Sequence, residues 1–223
     1  MAGVSVVIPA FDAERTLAEA LASVAAQTVP AAEVLVVDDG SSDGTAAIVA
    51  AHPGVRLLRQ ARRGPAAARN RGVREAAGEL IAFLDADDLF LPDKLALQLR
   101  ALEADPTLAG VCGLVRHELI EPALAGRIAV PAGNQPGLFA GTLLVRRADF
   151  LATGGFDEAL AIGEFVDWYD RARHAGLRFE LLDAVVTVRR LHGGNLTWRE
   201  RERLAGFTEV AWRAIARRRG GSP

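Results

Sequence analysis

Short β-branched runs alternate along the chain with longer alanine- and leucine-rich stretches at helical spacing, the pattern of βαβ units around a parallel sheet. Residues 4–8 read as a buried strand halted by Pro9, and residues 14–26 as a helix with Leu17, Leu21 and Val24 on one face. Residues 34–37 form a second strand that runs into Asp38-Asp39-Gly40-Ser41-Ser42-Asp43-Gly44. A helix from Thr45 ends before Pro53, and residues 55–58 make a third strand. Pro65 opens a helix to about Ala77, because proline suits a first turn, where its missing N–H would be unpaired anyway. The fourth strand, residues 79–84, ends in Asp85-Ala86-Asp87-Asp88, and Pro92 opens a helix carrying Leu95, Leu99 and Leu102 on one face.

The second half is less regular. Residues 109–115 read as a strand, residues 117–138 as an irregular excursion rich in proline and glycine, and residues 141–145 as another strand. A short helix to Leu151 and a Gly154-Gly155 turn follow. Residues 164–175 are expected to be helical, residues 179–182 and 185–189 to be two strands, and residues 197–219 to form a helix that is basic at its end. No repeat or linker appears, so the pattern predicts one α/β domain with a mostly parallel mixed sheet flanked by helices.

Composition narrows the partners. A net charge of −2 and a pI near 6.1 give no global attraction to nucleic acid. The single cysteine, Cys112, cannot form an internal disulfide. The run MAGVSVVIPAF has no basic lead-in and its apolar stretch stops at Pro9, too short for a signal peptide or a membrane span. The expected location is the cytoplasm. The arginines near the end of the 197–219 helix offer a peripheral contact with an anionic membrane, with a solvated helix end as the plainer alternative.

In open α/β sheets ligands bind beyond the carboxyl ends of the strands. Three polar clusters fall there: Pro9-Ala10-Phe11-Asp12, Asp38-Asp39-Gly40-Ser41, and Asp85 to Asp88. Asp-Gly pairs are also ordinary turn chemistry, so either acidic loop alone could be a solvated turn. The last cluster is the sharper, because Asp85 and Asp87 are one residue apart at the end of an apolar strand and point the same way. Like charges crowded there are unfavourable without a cation, and hard oxygen ligands suit magnesium or manganese. Other readings fail on detail. No glycine lies between residues 9 and 16 for a dinucleotide fingerprint, Ala50 stands where a calcium loop starting at Asp39 needs glutamate, and Gly44-Thr45 lacks the P-loop lysine.

Together these stretches resemble the family 2 glycosyltransferases, of the A-type nucleotide-diphospho-sugar transferase fold. The matching segments are Val4 through Asp12, Val36 through Thr45, Gly64 through Gly72 (GPAAARNRG), Phe83 through Asp88, and Gly154-Gly155-Phe156-Asp157-Glu158, in family order over roughly residues 3–195. The resemblance implies one glycosyltransferase domain, with a nucleotide-binding half to about residue 105 and an acceptor half from 106 to 196. It implies a UDP-sugar donor, an unidentified acceptor hydroxyl and a manganese or magnesium cofactor. Pro9, Ala10, Phe11 and Asp12 would hold base and ribose. Asp39, with Asp38 as its alternative or companion, would accept from the uracil imide, and Arg69 would approach the same base. Asp85 and Ala86 would face the ribose. Asp87 or Asp88, with His192, would hold the metal, while Arg189 and Arg190 would pair with the diphosphate.

One departure matters. Relatives carry Glu-Asp at the start of the helix near residue 164, with the aspartate as general base, whereas here Glu164 is followed by Phe165. Glu164 or Asp167, on one helical face, is then the expected base. The alternative is a nucleotide-sugar-binding protein without turnover. Asn195-Leu196-Thr197 reads as a coincidental sequon, Cys112 as inert core, and Trp168, Trp198 and Trp212 as packing residues rather than sugar platforms.

Overall fold

The strand β1 (Val4–Ala10) is apolar at nearly every position and buried throughout, because helices cover both of its faces. After it come α1 (Leu17–Ala25), β2 (Glu33–Asp38), α2 (Thr45–Ala50), β3 (Val55–Arg59), α3 (Pro65–Glu75), β4 (Leu80–Phe83), the two-residue β5 (Leu89–Phe90) and α4 (Lys94–Ala104). The second half holds β6 (Leu108–Leu119), β7 (Gln135–Pro136), β8 (Leu144–Arg146), α5 (Arg147–Ala152), α6 (Glu164–His174) and β9 (Arg178–Leu191), with 3₁₀ turns at Pro122–Leu124 and Ala140–Thr142. This is a computed structural model that describes residues 3–195. The helix expected over 197–219, its membrane contact, Trp198 and Trp212 lie outside the described residues. Among the described residues no helix is long and apolar enough to cross a membrane.

The sheet runs β3-β2-β1-β4-β8-β6-β9-β5, with β7 paired to β6. β1 is parallel to β2 and β4, and β2 to β3, the βαβ half that the hydrophobic pattern predicts. From β8 onward the sheet is mixed: β8 is antiparallel to β4 and β6, β9 is parallel to β6, and β5 is antiparallel to β9. Alternate β1 side chains serve opposite layers. Val6 and Ile8 join Leu17, Leu21, Leu95 and Leu99 on one face. Val7 joins Ala66, Ala68, Phe150, Phe156 and Trp168 on the other. Gly72 lets α3 lie flush on this second face, since a Cβ there would come within 2.2 Å of Val7 Cγ1.

Three local differences from the sequence expectation have physical causes. The strand expected at 141–145 is a 3₁₀ turn followed by β8. The two strands expected at 179–182 and 185–189 are one strand, β9; the apolar run breaks at Asp183 because the register slips between Cys112 opposite Leu181 and Leu114 opposite Val185. β5 is too short to show any period.

α4 begins with a lysine in the core. Lys94 is fully buried, donates to Gln98 Oε1 at 2.8 Å and the Thr142 carbonyl at 3.1 Å, and sits 4.7 Å from the Phe90 ring centre. Burial pushes its amine down to about 7. Cys112 is buried as expected, its thiol pushed up by burial to about 11. Trp168 packs among Phe150, Phe156, Phe165 and Phe179, its indole N–H given to Thr153 Oγ1.

Candidate active site

The carboxyl ends of β1, β2 and β4 open into one cavity of about 610 Å³. One wall includes Pro9, Ala10, Phe11, Asp12 and Asp39. The first two loops are stitched to each other. The Asp12 amide donates to Ser41 Oγ at 3.0 Å, the Ser42 amide returns a 2.8 Å bond to Asp12 Oδ1, and the Ala13 amide donates to Thr45 Oγ1. Asp12 takes a left-handed backbone (φ 46°), which aspartate tolerates better than most residues. Asp39 accepts from the amides of Arg63 (2.9 Å) and Gly64 (2.7 Å) and from Gln60 Nε2 (2.8 Å), so its carboxylate is fixed at the start of α3. Asp38 is turned the other way. It is fully buried, holds the Ser41 amide at 2.8 Å and pairs with Arg59, and it does not line the cavity. Adjacent strand residues face opposite sides, so only one of the two aspartates reaches the ligand side.

Asp85, Asp87 and Asp88 bring carboxylate oxygens within 4.8 Å of one another at the cavity floor, beside Ala86. Burial works against the Asp87 carboxylate, but the hydrogen bond and charge of His192, with a bond from Asn195, outweigh it and hold the group below its usual range. Asp88 goes the other way. Burial first, then the charges of Asp87 and Asp85, push it well above the usual range, although the Arg190 amide donates to it at 2.9 Å. His192 Nε2 lies 3.0 Å from Asp87 Oδ2, and Asn195 Nδ2 donates to the same oxygen at 2.9 Å. The short β5–β9 ladder brings the end of β9 back over the acidic loop.

Arg189 and Arg190, consecutive on β9, point to opposite sides. Arg189 lines the cavity with its guanidinium 5.2 Å from the Phe139 ring centre. Arg190 is buried behind the acidic loop, bonded to the Asp87 carbonyl, to Glu19 and to the Thr16 carbonyl, and it does not reach the cavity. In this structure its guanidinium braces the acidic loop from behind.

The far end of the cavity is formed by the 3₁₀ turn at Ala140–Thr142 and the start of α6. Leu138, Phe139, Ile162, Phe165 and Val166 line it, with Glu164 as its carboxylate. Gly163 enters α6 in a left-handed conformation (φ 84°). Phe165 is buried and stacked on Tyr169, 5.7 Å between ring centres. Asp167, the other expected base, is buried outside the cavity and accepts from Arg171 Nε at 2.9 Å. Arg171 is itself tied to the Thr153 and Gly155 carbonyls. Asp167 and Glu164 share a helical face, but that face turns inward one turn along α6.

Arg69 lines the cavity between the acidic loop and the start of α6. It is buried, with Nη2 on Asp85 Oδ1 and Nη1 on Glu164 Oε1 at 2.7 Å. Two residues escaped sequence reasoning. Arg62 stacks over Phe11 at 3.7 Å on the wall that carries Asp39, where only its neighbourhood to Gly64 hinted at it. Asn195, read as part of a sequon, in fact binds Asp87; its spacing of three from His192 was the available signal.

Comparison with known proteins agrees with this arrangement. The model of "Glycosyl transferase family 2" matches residues 5–143. The succinoglycan biosynthesis protein ExoU of Rhizobium meliloti is 34% identical over 220 residues, covering 87% of this chain and 64% of its own length. The Escherichia coli glucosyltransferase WfgD is 39% identical over 99 residues, covering 43% of this chain and 39% of its own. This chain spans only part of such relatives, 17% of the length of a Rickettsia felis glycosyltransferase with 43% identity over 103 residues. Among solved structures, Staphylococcus aureus TarS 1-349 in complex with UDP-GlcNAc superposes with a TM-score of 0.75 at 21% identity, over 95% of this chain and 66% of that one. The mannosyltransferase PcManGT of Pyrobaculum calidifontis, in complex with GDP-Man and Mn²⁺, gives 0.75 at 24%, over 96% and 64%. With the matched model covering more than half its length and the same strand-end loops gathered at one cavity, the chain belongs to glycosyl transferase family 2.

Proposed function

We propose that this chain transfers a sugar from a UDP-sugar to an acceptor hydroxyl, with inversion and with a divalent cation. The observation that carries the reading is one cavity with an acidic cluster on its floor and Glu164 at its far end. Asp39, fixed by two backbone amides, offers its remaining acceptor capacity to the imide N–H of uracil, and Phe11 with Arg62 supplies a flat surface for the base. Asp85 and Ala86 face the ribose, and Arg189 answers the diphosphate charge.

The floor residues fit manganese or magnesium. Three carboxylates within 4.8 Å, one of them driven toward protonation by burial and then by its neighbours' charges, form a hard-oxygen set that a cation would relieve. Asp87 and Asp88, with His192, would hold the ion, which supplies Lewis-acid stabilisation of the departing diphosphate. A donor-bound mannosyltransferase neighbour with Mn²⁺ and a TarS neighbour with UDP-GlcNAc support nucleotide-sugar chemistry in this fold. Glu164 takes the acceptor proton as the hydroxyl oxygen attacks the anomeric carbon, because it is the carboxylate lining the acceptor end. The apolar wall around it favours an acceptor with an apolar portion, and the relative WfgD is named for an acceptor on diphosphoundecaprenol.

Release of UDP from a panel of UDP-sugars, with and without manganese, tests the reading. Glu164→Gln should lower turnover by about 10² or more with donor affinity nearly unchanged, the loss expected for a positioned base. A second reading, a binding protein without turnover, is favoured by Phe165 at the usual base position. It wins if the wild type binds UDP-sugar tightly and never releases UDP.

A further inference from the structure

Arg69 joins two segments that line one cavity from distant parts of the chain. Its guanidinium places one nitrogen on Asp85, at the donor-side floor, and the other on Glu164, ninety-five residues along the chain at the acceptor end. The cation is the most enclosed of the three, with 6% of its side chain exposed against 29% for Asp85 and 14% for Glu164. Its Nε is buried and makes no hydrogen bond to the described residues, so the fork is committed to the two carboxylates. The family resemblance would set this arginine against the nucleobase, whereas here both of its terminal nitrogens are taken by carboxylates.

The helix beneath it has little freedom. α3 starts at Gly64, whose amide is held by Asp39, and is pressed onto β1 at Gly72. Ala66, Ala67 and Ala68, all buried, complete its contact with the protein interior. Glu164, by contrast, is the first residue of α6 after a left-handed glycine. Among the described residues, Arg69 is the side chain that bonds its carboxylate, through Oε1. A planar guanidinium sets the spacing and the plane of two oxygens at once, which a lysine ammonium does not.

We propose that Arg69 is a positioning residue that locks the acceptor-side base to the donor-side acidic loop. With Oε1 pinned, Glu164 presents Oε2 to the acceptor hydroxyl at a fixed distance from the sugar carried above Asp85. The inference rests on the reading of Glu164 as the base, and it adds that the base works only while the fork is in place.

The test uses the full chain, manganese, and UDP-glucose or UDP-N-acetylglucosamine, with water standing in for the acceptor. Arg69→Met should lower UDP release about thirtyfold while leaving KM for the donor and UDP affinity within about threefold. Guanidinium ion at about 50 mM should restore part of the Arg69→Met rate and leave the wild type unchanged, and Arg69→Lys should stay about tenfold impaired for want of a fork. The double variant Arg69→Met with Glu164→Gln should be no slower than Glu164→Gln alone, since groups acting as one unit are not additive. Multiplied losses in the double variant, or a fall of more than about tenfold in UDP affinity for Arg69→Met, would overturn the proposal by making Arg69 an independent or nucleotide-binding residue. If Arg69→Met does not fold, the same cycle is run with Arg69→Lys. Full activity of Glu164→Gln removes the base reading and this inference with it. An impaired Glu164→Gln with multiplied losses removes this inference alone.

Discussion

Around the proposed donor site, neighbouring strand ends hold one another. Asp39 is fixed by amides only 24 and 25 residues away, and the loops after β1 and β2 exchange hydrogen bonds directly. At the acceptor end nothing local suffices. Glu164 takes its partner from α3, Lys94 reaches across to the Thr142 carbonyl, and Phe139 meets Arg189 from β9. The donor half is a consequence of parallel βαβ geometry, in which every strand ends on the same side. The acceptor half is assembled by long-range pairing, so a single replacement such as Phe165 can alter its chemistry while the fold stays the same.

The strongest way to break the comparison is at the acidic loop, where the two halves meet. Asp87→Asn should weaken manganese-supported UDP binding by about 10² while the far-ultraviolet spectrum stays native, because the change removes a charge and not a core contact. Unchanged affinity by calorimetry in manganese would place the metal elsewhere. The donor half alone is probed by base choice. Asp39 accepting from an imide should favour UDP over CDP by about tenfold or more, since cytosine has no proton at that ring nitrogen and leaves the carboxylate unpaired. Equal affinities would remove Asp39 from base recognition.

Smaller effects sharpen the acceptor side. Asp167→Asn weakens a buried pair with Arg171 and should lower Tm by about 4 °C with turnover and donor affinity kept within about twofold. A selective collapse of turnover at unchanged Tm would return Asp167 to the list of bases. The last effect is a slope in stability with pH. Lys94 titrates near 7 when folded against 10.5 in the unfolded chain, so between those values the unfolded state binds more protons and stability rises with pH. Cys112 opposes this above about 9, where the unfolded thiol ionises while the buried one, near 11, does not. Tm should therefore rise by a degree or more from pH 7 to 8.5, and Lys94→Met should flatten that rise. A flat wild-type profile would show that the amine is protonated in the folded protein.

What was legible in the sequence follows the same division. The β1, β2 and β4 ends, Asp39 and the Asp85–Asp88 cluster could be read because strand period and turn residues place them locally. Period also separates Arg189 from Arg190, yet charge alone had grouped them. The partners of Arg69 are not legible in the sequence because they come from two other segments of the chain, and no local period reports a bond ninety-five residues long. The burial of Asp167 away from the cavity is not legible either, because a helical face says which residues lie together, not which way that face turns.

The excursion between β6 and the 3₁₀ turn at Ala140–Thr142 leaves and returns at pinned points. Leu119 is in register with Leu191 on β9, and Gln135–Pro136 lies against Leu114 and Val115. Because its ends are clamped to the sheet, the intervening residues can lengthen or change composition for little free energy, about 0.6 kcal/mol for each doubling of loop length. The segment ends in Leu138 and Phe139 at the acceptor wall. On the proposed reading of that wall, acceptor choice can drift through insertions and swaps in this one loop, while the loops after β1 and β2 keep their geometry unchanged.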